Sequence, residues 1–112
     1  FGKMEPAYLC FEKRLSNRDV HGNLEIPNWA DYLPDGNEVM RVTDRDGITY
    51  EFIASVRADE RRSLTHDWRA FAFAKGLRTG ELLSVYRLGN DNEYAVQVGL
   101  EIHGKFIVWE TL

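Results

Sequence analysis

The clearest structural signal in this chain is the segment of residues 61–88, whose sequence is RRSLTHDWRAFAFAKGLRTGELLSVYRL. Trp68, Phe71 and Ala72 fall at i, i+3 and i+4, so a helix through them presents one apolar face to a core. Thr65 precedes this pattern, and its hydroxyl is predicted to cap the helix by accepting a hydrogen bond from a backbone amide of the first turn. The segment therefore predicts a short strand, a capped helix, a tight turn and a second strand.

The end of the predicted helix is marked by three consecutive residues. Lys75 lies in the last turn, where a positive charge is favourable, and Gly76 suits the left-handed conformation that often follows a helix. Leu77 can then close an apolar contact with the last turn. Residues 77–80 are predicted to turn the chain into a strand at residues 82–88.

Outside this segment the sequence alternates short β-type runs with turn residues. A loop or a single turn is predicted at residues 16–23, and a hairpin turn at the Asp-Arg-Asp-Gly sequence of residues 44–47. The further strands are predicted at residues 7–15, 24–26, 37–43, 48–56, 94–98 and 106–109. Strands at this spacing favour a mainly β fold, an antiparallel sheet closed or partly closed into a barrel, with helices that plug or cover its ends.

Two details of these elements are further predictions. Period-2 alternation in the first strand places Cys10 and Phe11 on opposite faces. Pro27 is well placed in the first turn of a short helix that runs to about Leu33, and Trp29 is predicted to join the core from that helix.

Length and composition predict one ordinary globular domain. The chain has 112 residues, of which 44% are hydrophobic and 29% charged, and a chain of this size can bury a substantial core. We expect residues 1–6 to be a flexible lead-in and residues 7–112 to form a single domain. Cys10 is the one cysteine, which excludes an intramolecular disulfide. No apolar run approaches the ~20 residues of a membrane span, so no membrane partner is predicted.

The net charge of −4 argues at first against a nucleic-acid partner. The charges are unevenly distributed, however. Residues 55–78 contain six basic and three acidic residues, and residues 11–24 contain three basic and two acidic residues. The chain is therefore acidic overall and locally basic, which fits either scattered surface charge or two anion-binding segments.

No catalytic motif accompanies these segments. The sequence lacks GxxxxGK[ST] and GxGxxG phosphate loops, a GxSxG nucleophile and an HExxH metal motif. His21, His66 and His103 are not at short metal-ligand spacing, and Cys10 alternates within a strand as a small core residue would. We therefore predict no enzyme activity, no metal, no cofactor and no small-molecule substrate.

Four motifs, taken together, resemble the plant B3 DNA-binding domain family, from about residue 9 to residue 98. In chain order they are F-x-K-x-L-x-x-x-D-V (Phe11, Lys13, Leu15, Asp19, Val20), the pair Ile26-Pro27, D-x-x-G before an aromatic strand (Asp44, Gly47, Tyr50, Phe52), and L-T-x-x-W-x-x-F-x-x-x-K-G-L-x-x-G-[DE]-x-[LIV] (Leu64, Thr65, Trp68, Phe71, Lys75, Gly76, Leu77, Gly80, Glu81, Leu83). The last motif is the most specific, and all four occur in the family's order.

This resemblance implies a fold and a mode of binding. The expected fold is mainly β with two short helices, a seven-stranded open β-barrel known as the DNA-binding pseudobarrel. In the family two loop arms grip the major groove of double-stranded DNA, and they correspond here to residues 13–23 and 55–65. The charge distribution identifies the same two segments independently.

The arms supply the candidate site residues. Arginine can donate two hydrogen bonds to guanine O6 and N7, asparagine can pair with adenine, and other basic or hydroxyl side chains can contact phosphate. The predicted base contacts are Asn17, Arg18, His21, Asn23, Arg57, Arg61 and Arg62. The predicted phosphate contacts are Lys13, Arg14, Ser16, Thr65 and Arg69. Neighbouring residues of a strand face opposite ways, so at most one of Arg61 and Arg62 is expected to reach a base.

The resemblance implies a sequence-specific DNA-binding domain of a plant transcription regulator, located in the nucleus. An alternative hypothesis is a B3-like barrel that binds a protein partner or forms a homodimer, with weak or no specific DNA binding. Glu25, Asp59 and Glu60 favour the alternative because acidic side chains near phosphate weaken binding, and Phe106 and Trp109 could supply its interface. A third hypothesis, the recognition domain of a nuclease, would require a catalytic domain elsewhere.

Overall fold

The computed structural model describes residues 7–89, 91–102 and 104–111, with the backbone alone described for residues 101–102 and 106–111. Within these ranges the strands are β1 (Ala7–Arg14), β2 (Leu24–Glu25), β3 (Val39–Thr43), β4 (Thr49–Val56), β5 (Arg62–His66), β6 (Leu82–Leu88), β7 (Glu93–Ile102) and β8 (Lys105–Thr111). The helices are α1 (Asn17–His21) and α2 (Trp68–Lys75), and neither has the length and apolar character needed to cross a membrane. The predicted lead-in, residues 1–6, and the side chains of Phe106 and Trp109 lie outside this description.

The described strands belong to one sheet, in which the order is β1-β6-β7-β3-β4-β5-β2. β3 runs parallel to β7 over two residue pairs, Arg41 with Glu93 and Val42 with Tyr94, and the other strand pairs are antiparallel. β8 pairs with β7 beside this path, as an additional strand. The predicted class, a mainly β open barrel with two short helices, is confirmed, with seven strands along the barrel path.

The predicted β3–β4 hairpin is confirmed, and residues 44–47 form its turn. The Asp44 carboxylate accepts the N–H groups of Asp46 and Ile48, both at 2.9 Å. It also accepts a hydrogen bond at 2.9 Å from the ammonium of Lys75, which lowers the pKa of Asp44. The last turn of α2 is thereby tied to the hairpin.

Aromatic side chains build the core between the sheet and α2. Trp68 and Phe71 are fully buried on one face of the helix, as their spacing predicts. Phe52 of β4 meets both rings edge-on, at centroid distances of 5.7 Å from Trp68 and 5.4 Å from Phe71, an arrangement that aromatic pairs favour. Phe73 lies on the other side of α2 and is 80% exposed. The apolar stripe of α2 therefore holds the helix on the sheet.

The two ends of α2 differ in how well they match the sequence-based prediction. At the C-terminal end Gly76 adopts φ 62° and ψ 39°, and Leu77 is buried behind it, as predicted. At the N-terminal end the prediction that Thr65 caps the helix is wrong, because Thr65 lies within β5 and the helix begins after Asp67. Strand pairing explains the difference: Asp67 donates its N–H to the Glu51 carbonyl at 3.0 Å, and its carboxylate accepts the Glu51 N–H at 2.9 Å.

Strand β1 departs from the predicted alternation at one point. Its register with β6 shifts between Leu9 and Phe11, which marks a β-bulge. The bulge buries both Cys10 and Phe11, so the prediction that they lie on opposite faces is wrong. Burial also raises the pKa of the Cys10 thiol to about 12, which suits a core side chain better than a nucleophile.

The helix predicted at residues 27–33 is absent from the described structure. A single turn replaces it, in which the Ala30 N–H bonds to the Pro27 carbonyl at 3.1 Å. The Asp31 N–H donates instead to the Cys10 carbonyl at 2.9 Å, so the segment is drawn onto the edge of β1 and does not continue as a helix. As a consequence Trp29 is 60% exposed, and its assignment to the core is wrong.

Candidate nucleic-acid interface

The first arm, residues 13–23, contains the helical turn α1 between β1 and β2. Ser16 and Asp19 form a capping box at its start: the Ser16 hydroxyl accepts the Asp19 N–H at 3.2 Å, and the Asp19 carboxylate accepts the Ser16 N–H at 2.9 Å. The sequence S-x-x-D thus gives a short helix where the turn residues predict a loop or a single turn. Asn17 and Arg18 are exposed on this helix.

Asp19 fixes the first arm to the barrel. It is only 1% exposed, and the Lys13 ammonium lies 3.0 Å from its carboxylate. The same carboxylate accepts the Glu25 N–H at 3.1 Å, while Lys13 donates to the Glu25 carbonyl at 2.7 Å. The Trp68 indole N–H donates to the Asp19 carbonyl at 2.8 Å. These bonds join β1, α1, β2 and α2, and they occupy the ammonium of Lys13, a predicted phosphate contact.

The second arm, residues 55–65, is a tight loop flanked by the ends of β4 and β5. The Arg57 N–H donates to the Arg61 carbonyl at 2.7 Å, and the Glu60 N–H donates to the Arg57 carbonyl at 2.9 Å. The Asp59 carboxylate accepts the Arg61 N–H at 3.1 Å. Backbone hydrogen bonds therefore define the shape of the loop from which its arginine side chains extend.

The two arms border one cleft, which we call the inter-arm cleft and which has a volume of about 370 Å³. It is lined by Arg18, Asn23, Glu25, Ser55, Arg57, Ser63 and Thr65. Four of these residues are predicted DNA contacts, and both arms contribute to them: Arg18, Asn23, Arg57 and Thr65. The structure therefore brings together side chains that are about 40 residues apart in the sequence.

Three residues of the inter-arm cleft were missed by reasoning from the sequence. Ser55 and Ser63 are a cross-strand pair in the β4–β5 register, and they share a strand face with Arg57 and Thr65 at i, i+2 spacing. That alternation was the signal that could have identified them. No sequence signal assigns Glu25 to the cleft, because its place depends on the pairing of β2 with β5.

Acidic side chains accompany the arginines of the second arm. Glu25 Oε1 lies 3.3 Å from Arg61 Nη1 and 4.0 Å from Arg57 Nη1. Asp59 approaches the same two guanidinium groups at 3.9 and 3.8 Å. All four side chains are about half exposed, so each pair contributes only about 0–1 kcal/mol and can be exchanged for another anionic or polar partner.

The other predicted base contacts lie outside the inter-arm cleft. Arg61 lines a neighbouring hollow of about 240 Å³. Arg62 points elsewhere and donates to the Pro34 carbonyl at 2.7 Å, so these two neighbours do have different surroundings. His21 Nδ1 lies 3.1 Å from the Asn17 carbonyl, and both residues are exposed on α1.

The predicted phosphate contacts are spread over several elements. Arg14 is exposed and donates to the Gly80 carbonyl at 3.0 Å. Arg69 is exposed in the first turn of α2. Thr65 Oγ1 lies 2.8 Å from Ser55 Oγ on the wall of the inter-arm cleft, so these two hydroxyls form a pair that can also face a ligand.

One group of potential metal ligands occurs in the part of the chain that the structure describes. Glu51, His66 and Asp67 have ligand atoms that all lie within 4.8 Å of one another. Glu51 and His66 are exposed, and the Asp67 carboxylate already accepts the Glu51 N–H. The Asp67 hydrogen bond closes the β4–β5 pair at the end opposite the second arm.

The fold can be compared with those of known proteins. No protein-family model matches the chain, and no curated protein matches its sequence. Among solved structures the chain is similar to the Arabidopsis FUS3–DNA complex, a B3 domain, with a TM-score of 0.55 and 24% sequence identity. The match covers 80% of this chain and 95% of that chain. The chain therefore has the pseudobarrel fold of the B3 domain, as its four sequence motifs predict.

Proposed function

We propose that this chain binds double-stranded DNA sequence-specifically, in the major groove and through its two arms, as the DNA-binding domain of a plant transcription regulator. The observation that carries the proposal is the inter-arm cleft, where Arg18 and Asn23 of the first arm meet Arg57 of the second. The fold supports it, because a similar solved structure is that of a protein–DNA complex. Residues 7–112 would act as one domain, without enzyme activity, in the nucleus.

The chemistry of the inter-arm cleft suits the edges of base pairs. Arg18 and Arg57 can each donate two hydrogen bonds to guanine O6 and N7, and Asn23 can pair with adenine N6 and N7. A good bidentate contact of this kind discriminates against the wrong base by about 1–3 kcal/mol. The exposed Arg14 and Arg69 would contact phosphates and set the register without selecting a sequence.

The charge balance predicts how such binding depends on salt. Each phosphate that the protein neutralises lowers log K by about 0.9 for every tenfold increase in salt. The chain as a whole carries −4, and Glu25, Asp59 and Glu60 lie in or beside the arms. We therefore expect modest affinity at physiological salt and a steep loss of binding as salt is raised.

Selection from a random duplex library tests this proposal, followed by titration of the selected duplex at several salt concentrations. Arg18→Ala and Arg57→Ala should each weaken binding to that duplex by about 5- to 150-fold, the equivalent of one lost bidentate contact. The matched control is Arg45→Ala, which removes the same side chain from the β3–β4 turn, at the other end of β4 from the second arm. This control should bind as the wild type does.

Two results would contradict the proposal. If no motif is enriched while binding still falls with salt, the arms contact phosphate only and specificity has another source. If the wild type binds no duplex even at low salt, DNA is not the partner of this domain.

A second candidate function is protein interaction or dimerisation, and the surface of the protein offers two arguments for it. Tyr8 and Tyr32 are exposed and their rings contact each other at a centroid distance of 5.1 Å, and Trp29 is also exposed. The arm arginines also lie beside Glu25 and Asp59, as expected of an interaction module. Sedimentation of the wild type and of Trp29→Ala distinguishes this function: a dimer that the substitution dissociates supports it, and a monomer in both cases removes the dimerisation hypothesis.

A further inference from the structure

The backbone of Glu25 is held on both sides at the inter-arm cleft. Its N–H donates to the Asp19 carboxylate at 3.1 Å, and its carbonyl accepts the Lys13 ammonium at 2.7 Å. It also pairs with Ser63 in the β2–β5 ladder. The backbone bonds therefore fix the point from which the side chain extends toward the inter-arm cleft.

The carboxylate of Glu25 is available at the surface and lies between basic side chains. It is 46% exposed, with Oε1 3.3 Å from Arg61 Nη1 and 4.0 Å from Arg57 Nη1. Among the described residues that line the inter-arm cleft it is the one acidic side chain. A ligand that enters the cleft therefore meets hydrogen-bond donors from the arginines and, beside them, an acceptor that has no proton to donate.

Such an arrangement selects among base pairs. In the major groove guanine presents only acceptors, thymine presents an acceptor and a methyl group, adenine presents its N6 amino donor beside the N7 acceptor, and cytosine presents its N4 amino donor without an adjacent acceptor of its own. A carboxylate can accept from cytosine N4, whereas it is repelled by the acceptors of guanine and thymine and by phosphate. An arginine beside it matches guanine, so Arg57 and Glu25 together offer donors and an acceptor to a G·C step.

From this geometry we infer that Glu25 is a specificity-determining residue, whose carboxylate accepts a hydrogen bond from cytosine N4 in the major groove. The inference rests on the proposed DNA-binding function and refines it at the same cleft. Glu25 also weakens binding to duplexes with guanine or thymine at that position, since the carboxylate then faces acceptor atoms alone, and it pairs less well with adenine, whose N7 acceptor lies beside the N6 donor. Glu25 therefore raises the ratio of specific to non-specific affinity more than it raises the affinity for the selected duplex.

Glu25→Gln tests the inference, because glutamine keeps the shape of the side chain, removes its charge and adds an amide donor that the acceptors of guanine, thymine and adenine can accept. Binding of wild type and variant is measured on the selected duplex and on duplexes that replace each base pair in turn. The wild type should prefer cytosine at one position by about 5- to 150-fold, as one good base contact allows, and the variant should lose most of that preference while the other positions stay unchanged. Glu25→Gln should also bind unrelated duplexes more tightly than the wild type does.

Glu60→Gln is the matched control, since it removes the same charge from the exposed tip of the second arm, outside the inter-arm cleft. It should alter binding to all duplexes by a similar factor and leave the base preferences as they are. The inference is overturned if Glu25→Gln also changes the affinity for all duplexes by one factor, because the charge alone then explains the effect of Glu25 on binding. If the wild type selects a motif and Glu25→Gln keeps every preference, this inference fails alone; if the wild type binds no DNA, the proposed function fails and the inference with it.

Discussion

Replacement of Asp19 is the most direct test of how the first arm is held on the barrel. Its carboxylate accepts the N–H groups of Ser16 and Glu25 at 2.9 and 3.1 Å, and the Lys13 ammonium lies 3.0 Å away. The side chain is 2% exposed, so water has little access to the groups that Asp19→Ala would leave without a partner. We expect this variant to unfold at a much lower urea concentration than the wild type.

The size of the effect follows from these contacts. A hydrogen bond to a charged group contributes about 1.5–3 kcal/mol, so three of them would amount to roughly 5–9 kcal/mol. That sum is an upper limit, because 21% of the Lys13 side chain is exposed and its ammonium can turn to water. Removing one partner of a buried ion pair typically costs about 3–5 kcal/mol, and we expect a loss in this range. A typical domain is stable by only about 5–15 kcal/mol.

Urea unfolding followed by tryptophan fluorescence measures this loss, and Trp68 is a suitable reporter because its indole N–H donates to the Asp19 carbonyl. Asp59→Ala is the control: its carboxylate is about half exposed, so the change should stay below about 1 kcal/mol. A double-mutant cycle with Lys13→Ala should give a coupling energy of about 0.5–3 kcal/mol. A loss below about 1 kcal/mol for Asp19→Ala, or an absence of coupling, would refute the role assigned to this pair.

The remaining predictions concern the core, two buried titrating groups and the end of α2. Trp68→Ala should lower the free energy of unfolding by about 3–5 kcal/mol, whereas Phe73→Ala, at an 80% exposed position, should change it by less than about 0.5 kcal/mol. Urea unfolding of these two variants is followed by far-UV circular dichroism, because Trp68→Ala removes the fluorescent reporter. Burial raises the pKa of Cys10 from 9.0 and that of Tyr94 from 10.0, both to about 12. The unfolded chain therefore loses these protons at a lower pH than the folded chain, so the free energy of unfolding is constant below about pH 9 and falls as the pH rises toward 12. A urea midpoint that stays constant up to about pH 11 would contradict this. Gly76→Ala places a side chain at φ 62° and should cost about 1–2 kcal/mol, which thermal melting would register as a lower midpoint; an unchanged midpoint would show that the left-handed residue is not required.

The parts of the fold that were predictable depend on residues a few positions apart. The apolar face of α2 follows from i, i+3, i+4 spacing within one helix. The end of that helix at Gly76 and the hairpin turn at residues 44–47 follow from residues that tolerate unusual backbone conformations. Each of these signals acts within about one turn of chain, so no knowledge of distant neighbours was needed. The four motifs extended this local information to the pseudobarrel fold.

Two of the predictions that failed share one cause, which is competition from a distant strand. Thr65 has the chemistry of a helix cap, but pairing with Ile53 keeps it in β5. Residues 27–33 have helical spacing, but a backbone bond from Asp31 to Cys10 draws them onto β1. In each case a hydrogen bond to a residue more than ten positions away outweighed the local preference, and that bond is invisible until the register is known.

The candidate site also has a part that local sequence predicts and a part that depends on distant strands. Composition and motifs identify the two basic segments. Arg61 and Arg62 have different surroundings, but Arg61 precedes β5, so strand alternation is not the reason. Only the folded chain shows that Arg57 faces Arg18 across a cleft and that Glu25 lies between the arms. Local sequence determines which side chains an arm carries, because backbone preference acts over short distances. Which of them meet is determined by strand order and register, because those fix the distances between segments that are remote in the chain.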